Sequence, residues 1–290
     1  MKKITAFLAF LFSCIVLYAA DSQQLPETVP PAEQKTVGSP LTFHKPMYML
    51  FGNKDDQVKG QLSFKYDPFF GFIDNLGLYL AYTQLMDWKL YDLSSPFKDI
   101  NFNPEVFWRL ETRKNVFGNI DLGYLDHVQL GVWEHKSNGK DGGKSRSWDR
   151  SYVQVQVSMG STFNVGMSIK YFVLFIPTID NNNRDIQQYI GSWEAMVFFK
   201  HERNDGRPGL IELYARFGAG GGPNGFNFYK GWQEYGIIFP SLFVRVMPYI
   251  QVFHGYGEFL LDYNVKRANT WDGTFLHGTG TAIRVGLIMR

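Results

Sequence analysis

The sequence lacks the features that define several common protein classes. It has one cysteine, Cys14, among 290 residues, so it forms no disulfide bond within the chain. Neither sign of charge dominates, because 29 Lys and Arg residues are balanced by 27 Asp and Glu residues. This balance differs from the basic excess of nucleic-acid-binding proteins, and we expect no nucleic-acid partner. No long apolar run follows residue 20, which excludes a bundle of membrane-spanning helices.

The amino terminus has the pattern of an export signal. Residues 4–20 are apolar, follow Lys2 and Lys3, and precede a polar stretch that starts at Asp21. A basic start, an apolar centre and small residues before a polar stretch are typical of a secretory signal peptide. We therefore predict a signal peptide over residues 1–20, whose removal leaves a chain without cysteine. Residues 21–41 are rich in Pro, Gln, Thr and Glu and are expected to form a flexible segment, followed by one domain over residues 42–290.

This domain is rich in aromatic residues and glycine, with 26 Phe, 16 Tyr, 7 Trp and 29 Gly. Alternation of apolar and polar residues is its main pattern: Val153, Val155 and Val157 share one face of a strand, whereas Gln154 and Gln156 share the other. No amphipathic helix is evident after the signal peptide. About a dozen segments alternate in this way, and they are residues 61–66, 76–88, 105–112, 127–137, 152–159, 163–175, 189–201, 210–217, 228–239, 242–254, 258–265 and 282–289.

A dozen alternating strands predict either a soluble sandwich or a membrane barrel, and export with aromatic residues near the strand ends favours the barrel. Backbone amides in hydrocarbon must all be paired, so a membrane-spanning sheet has to close. We predict an all-β fold, a twelve-stranded antiparallel transmembrane β-barrel in the bacterial outer membrane. The residues expected in aromatic girdles are Tyr79, Tyr82, Trp88, Trp108, Trp133, Trp148, Trp193, Tyr229, Trp232 and Tyr235. Those expected to crowd the lumen are Gln154, Gln156, Glu212, Arg216 and Arg284.

One stretch, residues 133–152, carries residues of a kind that perform chemistry. His135 and Ser137 are two positions apart and share a strand face, and counting back by twos from Val153 places Ser151 and Asp149 on the outer face. If His135 and Ser137 also point outwards, a hydroxyl, an imidazole and a carboxylate meet on the outer wall as nucleophile, base and orienting group. An isolated His-x-Ser near a strand end is more often only a pair of polar interfacial residues.

The identities of the residues in this stretch are more informative than the spacing of His135 and Ser137 alone. Residues 135–139 read His-Lys-Ser-Asn-Gly, and residues 145–150 read Ser-Arg-Ser-Trp-Asp-Arg. The stretch resembles the signature of the outer membrane phospholipase A family, which is His-x-Ser-Asn-Gly, a short loop, and Ser-Arg-Ser-Trp-Asn-Arg. Residues 94–97 and 255–258 add to a resemblance that extends over most of the chain after residue 43.

The resemblance implies a hydrolase that cleaves the sn-1 and sn-2 acyl esters of membrane glycerophospholipids. Ser137 matches the family's nucleophile and His135 its general base. Asp149 occupies the place of an asparagine that orients the histidine, and an aspartate also accepts a hydrogen bond from an imidazole. Gly139 matches the glycine whose N–H helps to form the oxyanion hole.

The resemblance also implies Ca²⁺ as a cofactor and a homodimer as the active form. Ser145 matches a hydroxyl ligand, and Lys140 matches a residue that binds through its carbonyl oxygen. Ser94 matches a ligand contributed across the dimer interface, and Asn182 is the best match to a further ligand, with Asp180 as the alternative. Oxygen donors of these kinds are the ones that Ca²⁺ prefers.

Two alternatives of other classes remain open from the sequence. The first is a porin-like or structural barrel without activity. The second, a barrel protease, needs acidic pairs at the rim, and Asp141, Asp180 and Asp185 show no such pairing.

Overall fold

The computed structural model describes residues 39–70, 72, 73, 76–115, 123–160, 162–177, 183–201, 209–220, 227–240, 246–265 and 281–289. The expected signal peptide and residues 21–38 of the flexible segment lie outside the described residues, as do Asp180 and Asn182. The first strand begins at Leu41, one residue before the start expected for the folded domain.

Thirteen antiparallel strands form a single sheet in the described part of the chain. They are β1 (Leu41–Phe43), β2 (Met47–Phe51), β3 (Val58–Tyr66), β4 (Leu78–Trp88), β5 (Phe97–Asn115), β6 (Tyr124–Ser137), β7 (Ser147–Met159), β8 (Phe163–Pro177), β9 (Trp193–His201), β10 (Glu212–Gly220), β11 (Asn227–Ile238), β12 (Val246–Gly255) and β13 (Thr281–Met289). A four-residue helix, α1 (Gln187–Ile190), and a 3-10 turn (Gly142–Lys144) are the described helical elements. No helix among the described residues is long and apolar enough to cross a membrane.

The sheet closes on itself. Each strand from β2 to β13 pairs with its neighbour in the chain, and β13 pairs back to β2 from Val285 opposite Phe51 to Met289 opposite Met47. Strands β1 and β2 both pair with β3, so together they make one barrel strand interrupted between Phe43 and Met47. Counted in this way, the described sheet is a twelve-stranded barrel, as predicted.

The two faces of the wall have the expected polarity. On β7, Val153 and Val155 are exposed on the outside, whereas Tyr152 is buried inside. Large apolar side chains cover the outer surface, as a wall in contact with lipid requires. Examples are Leu80, Leu110, Leu130, Met167, Ile169, Val197, Leu213, Ile237, Ile283 and Leu287. The girdle prediction was wrong for Trp88 and Trp148, which are buried, because a tryptophan near a strand end also packs into the barrel mouth.

Ion pairs and polar side chains crowd the lumen. Glu134 accepts hydrogen bonds from Arg150 at 2.7 and 3.1 Å and from Lys170 at 3.2 Å. Arg284 donates to Glu258 at 2.6 and 3.1 Å. The remaining residues predicted for the lumen line a cavity of about 500 Å³ inside the barrel, and these are Gln154, Gln156, Glu212 and Arg216.

A cap closes the end of the barrel that carries the connections β6–β7 and β12–β13. Its residues 256–265 form turns, so the strand predicted over residues 258–265 was wrong. The backbone N–H groups there bind lumenal side chains instead of a neighbouring strand: Leu260 donates to Asn101 at 3.1 Å and Leu261 to Asp99 at 2.9 Å. Leu260 and Tyr263 of the cap pack with Trp148 and Ile186 in one apolar cluster.

Candidate active site

A β-bulge sets the direction of the side chains at the end of β6. His127 and Gln129 are buried on the lumenal face, so strict alternation would place His135 in the lumen as well. Instead, Val132 and Trp133 both lie on the outside, where they are 53% and 43% exposed, and the register with β7 shifts at this point. The extra residue reverses the alternation, and His135 and Ser137 therefore point outwards.

His135 and Asp149 meet on the outer wall. They are paired residues of β6 and β7, and their side chains are 27% and 43% exposed. The distance from His135 Nδ1 to Asp149 Oδ1 is 3.0 Å, which is a hydrogen bond. The predicted base and its orienting carboxylate are therefore in contact, on the face that the alternation of β7 predicted.

Ser137 follows two residues later on the same outer face, at the end of β6. Successive residues of one face lie roughly 6.5 Å apart along a strand, so Ser137 and His135 are neighbours on this face. In the described part of the chain, the Ser137 hydroxyl forms no hydrogen bond, to His135 or to another group. Catalytic hydrogen bonds of this kind often form only once substrate is bound.

Trp133 completes the outer cluster, and the sequence had assigned it only to the aromatic girdle. Its indole Nε1–H donates to Asp149 Oδ1 at 2.8 Å, the same oxygen that contacts His135. The indole and imidazole rings are stacked, with centroids 6.0 Å apart and an angle of 17° between the planes. Because the side chain of Trp133 lies outside only through the bulge, no sequence periodicity identifies this role.

The connection from β6 to β7 is organised by the buried Asn138. Its side-chain Nδ2 donates to the carbonyl of Lys144 at 2.9 Å, and its Oδ1 accepts from the backbone N–H of Lys140 at 3.3 Å and of Arg146 at 3.0 Å. One side chain therefore holds both arms of the loop. The sequence analysis included Asn138 in the stretch at residues 135–139 but predicted no function for it.

Gly139 adopts a backbone conformation that suits glycine, with φ of +62°. A Cβ at this position would lie 2.9 Å from Cε2 of Phe102. The Gly139 N–H donates to no group among the described residues, and Ser137 is two residues away. An N–H in this position is available to a developing oxyanion.

Two of the four residues predicted to bind a cation have oxygen atoms that no described residue occupies. The carbonyl of Lys140 and the hydroxyl of Ser145 accept no hydrogen bond from any residue that the structure describes. Ser94 lies exposed on the separate β4–β5 connection with φ of +65°, and Asn182 is outside the described residues. No group of three or more His, Cys, Asp or Glu side chains is placed to hold a metal ion among the described residues. Hydroxyl and carbonyl oxygens fit a hard cation such as Ca²⁺.

The loop contacts the cap of the barrel. Lys140 Nζ donates to the carbonyl of Lys98 at 2.7 Å, and Lys98 forms an ion pair with Asp262 of the cap. The guanidinium of Arg146 lies 5.7 Å from the ring centroid of Tyr263. Burial raises the pKa of the Tyr263 phenol, and its hydrogen bond to Asp185 raises this pKa further. The active-site loop is therefore fixed from two sides.

Sequence comparison identifies the family of this chain. The profile of the phospholipase A1 family matches residues 33–271. Phospholipase A1 of Escherichia coli (strain K12) is 30% identical over 227 residues, a match that covers 77% of this chain and 71% of the relative. The Klebsiella pneumoniae phospholipase A1 is 29% identical over 231 residues with the same coverage. The chain belongs to the phospholipase A1 family.

Solved structures of phospholipase A1 relatives share this fold. Outer membrane phospholipase A from Escherichia coli superposes with a TM-score of 0.63 at 25% identity, over 90% of this chain and 94% of that one. A Salmonella typhi outer membrane phospholipase, solved as a dimer with bound calcium, superposes with a TM-score of 0.65 at 25% identity, over 89% and 94% of the two chains.

Membership of the phospholipase A1 family identifies the chain as a phospholipase of the bacterial outer membrane. It decides against the porin-like barrel without activity and against the barrel protease. His135, Asp149 and Ser137 lie on the outer face of the wall.

Proposed function

We propose that this chain hydrolyses the sn-1 and sn-2 acyl esters of glycerophospholipids by a Ser-His-Asp mechanism on the outside of the barrel. The observation that carries the proposal is the 3.0 Å contact between His135 Nδ1 and Asp149 Oδ1 on the outer wall. Ser137 lies on the same face two residues later. The membrane thus delivers the substrate directly to the reactive groups, without passage through the lumen.

The contact determines which nitrogen acts as the base. Asp149 accepts the Nδ1–H of His135, which leaves Nε2 without a proton and able to take the proton of Ser137. The Oγ of Ser137 then attacks the ester carbonyl, and the Gly139 N–H donates to the oxyanion that forms. His135 passes the proton to the glycerol oxygen, and an acyl group remains on Ser137. Water, deprotonated by His135, releases the fatty acid and restores the serine.

Calcium is the proposed cofactor, supported by the calcium-bound relative and by the available oxygen atoms of the loop. The carbonyl of Lys140 and the hydroxyl of Ser145 would hold it, with Ser94 and Asn182 as further ligands. Bound there, Ca²⁺ supplies positive charge that polarises an ester carbonyl and stabilises an oxyanion. The loop residues themselves are held in place by Asn138 and by the cap.

A homodimer is the proposed active form, supported by the dimeric relative. Ser94 is exposed at the end of the barrel that carries the active site, so it is accessible to a second barrel in the same membrane. A phospholipase surrounded by its substrate needs a means of being held inactive, and a ligand donated by a second chain provides one.

Replacement of Ser137 by Ala tests the proposal. Fatty-acid release from detergent-dispersed phospholipid in the presence of Ca²⁺ should fall by about a thousandfold or more, since loss of a triad member typically costs this much. Ser168→Ala is the matched control, because it removes a lumenal hydroxyl that accepts from Gln154 at 3.0 Å. Wild-type rates in the Ser137→Ala protein would refute the assignment of the nucleophile.

A further inference from the structure

Trp133 forms a closed triangle with the base and its carboxylate. Its Nε1–H donates to Asp149 Oδ1 at 2.8 Å, Asp149 Oδ1 lies 3.0 Å from His135 Nδ1, and the His135 ring stacks on the indole. We propose that Trp133 is a positioning residue of the reaction, which holds the Asp149 carboxylate in the orientation that His135 requires. This inference rests on the proposed Ser-His-Asp mechanism.

The carboxylate needs such a partner because it is poorly confined. Asp149 is 43% exposed on the outer wall, and rotation about the terminal torsion of an aspartate is broad and weakly restrained. A single hydrogen bond to His135 would let the carboxylate swing towards solvent or lipid headgroups. A second donor to the same oxygen narrows that rotation, and charge-assisted hydrogen bonds of this kind are strong ones.

The indole is itself confined. Trp133 occupies one of the two bulge positions opposite Ser151, whose hydroxyl donates to the carbonyl of Val132 at 2.9 Å. Stacking on His135 fixes the ring on its other side. The tryptophan therefore links the backbone bulge to the carboxylate through its hydrogen bond and its stacking on His135.

An ordinary girdle tryptophan would not have this geometry. Interfacial tryptophans place an apolar ring in lipid and their N–H in the headgroup region. Trp108, by comparison, donates to the backbone carbonyl of Leu76 at 2.7 Å. The Trp133 N–H instead donates to the carboxylate oxygen that also contacts His135.

The test is Trp133→Phe, which keeps an aromatic ring beside His135 and removes only the donor. We expect kcat to fall about tenfold with KM unchanged within twofold, since the lost hydrogen bond is made to a charged group. The rate at which an alkylsulfonyl fluoride modifies Ser137 should fall by the same factor, because that rate reports activation of the hydroxyl. Trp193→Phe is the matched control, since Trp193 lies on the same outer face of β9 as Val197 and should leave both rates unchanged.

A double variant with Asp149→Ala distinguishes a positioning role of Trp133 from a merely structural one. In the Asp149→Ala background, Trp133→Phe should cause no further loss of either rate, because the group through which it acts is absent. A tenfold loss that persists in that background, or an unchanged sulfonylation rate in Trp133→Phe, overturns the inference. Circular dichroism and the thermal midpoint check that each variant folds, and a loss explained by unfolding also counts against it. Full activity of Ser137→Ala would instead refute the mechanism itself, whatever the result for Trp133.

Discussion

The hydroxyl of Ser151 donates to the carbonyl oxygen of Val132 at 2.9 Å, across the bulge of β6. This hydrogen bond joins the two strands at the point where two residues of β6 oppose one residue of β7. It therefore stabilises the backbone geometry that turns His135 and Ser137 towards the lipid. A serine outside the proposed catalytic group thus helps to decide on which side of the wall the proposed chemistry would occur.

Replacement of Ser151 by Ala should lower both stability and activity. We expect the free energy of unfolding to fall by about 1 kcal/mol, the usual net value of one hydrogen bond, and kcat to fall severalfold because the bulge loosens. Denaturant unfolding in detergent and initial-rate kinetics measure the two effects. The control Ser158→Ala loses a hydrogen bond of 2.7 Å to Asp126, far from the bulge, and should affect stability alone. Equal kcat losses in both variants would contradict the role of the bulge.

Asparagine at position 149 should largely preserve activity, whereas alanine should not. The asparagine oxygen also accepts hydrogen bonds from His135 and Trp133, so we expect Asp149→Asn to retain kcat within about tenfold. Asp149→Ala removes the acceptor, and we expect a loss of at least about a hundredfold. Equal losses in the two variants would show that the negative charge, and not the orientation of His135, is the essential contribution.

Gly139→Ala should impair catalysis. A Cβ would lie 2.9 Å from Phe102 Cε2 and would force a non-glycine residue to adopt φ of +62°, so the N–H should move. The strain of such a conformation is about 1–2 kcal/mol, and we expect kcat to fall about tenfold. Gly143→Ala is the control, because no atom lies within 4 Å of a Cβ built there. The prediction fails if both alanine variants have the same kcat.

Chelation of divalent cations should abolish ester hydrolysis, and added Ca²⁺ should restore it. Mg²⁺ should restore it poorly, because it demands a smaller octahedral shell than a loop of hydroxyl and carbonyl oxygens provides. Ser145→Ala should raise the Ca²⁺ concentration for half-maximal activity by about tenfold through the loss of one ligand. Following monomer and dimer by sedimentation in the same titration tests whether assembly accompanies activation. Activity that persists in chelator would remove Ser145 and Ser94 from their proposed roles.

The lumenal ion pairs should determine stability more than activity. Glu134→Gln removes the negative charge that pairs with Arg150 and Lys170. Because both cations then lose a buried partner, the free energy of unfolding should fall by about 3 kcal/mol. Glu111→Gln is the matched control: its side chain is 64% exposed and pairs with Arg109 at 3.6 Å, so it should change stability little. Similar unfolding curves for the two variants would show that the lumenal network contributes little.

The sequence predicted those parts of the fold that depend on regular alternation. The extra residue of the bulge opposite Ser151 belongs to β6, so β7 keeps its own alternation from Val153 back to Asp149, and counting by twos placed Asp149 correctly. The outward direction of His135 could not be predicted in this way, because the bulge depends on a cross-strand contact of Ser151. The resemblance predicted these residues as the site, and the structure shows why His135 and Asp149 face outwards.

Two errors of element assignment have a shared cause. Residues 258–265 alternate like a strand, but their backbone groups pair with the side chains of Asp99 and Asn101. The first barrel strand was missed because it consists of two short pieces, β1 and β2, separated by a break at which His44 turns inwards and contacts Glu105 at 3.0 Å. In both cases a lumenal side chain decided the structure, and periodicity along the chain does not report such contacts.

The cap fastened to Asp99 and Asn101 lies at the barrel mouth, whereas Ser137 lies on the reverse side of the same wall. In the proposed mechanism, a phospholipid cleaved at Ser137 therefore yields two fragments that are already dissolved in the surrounding leaflet. Neither has to be exported, and each diffuses away sideways. The first effect expected of such a reaction is thus on the enzyme's own surroundings, as the bilayer beside it would gain conical single-chain lipids and lose two-chain ones.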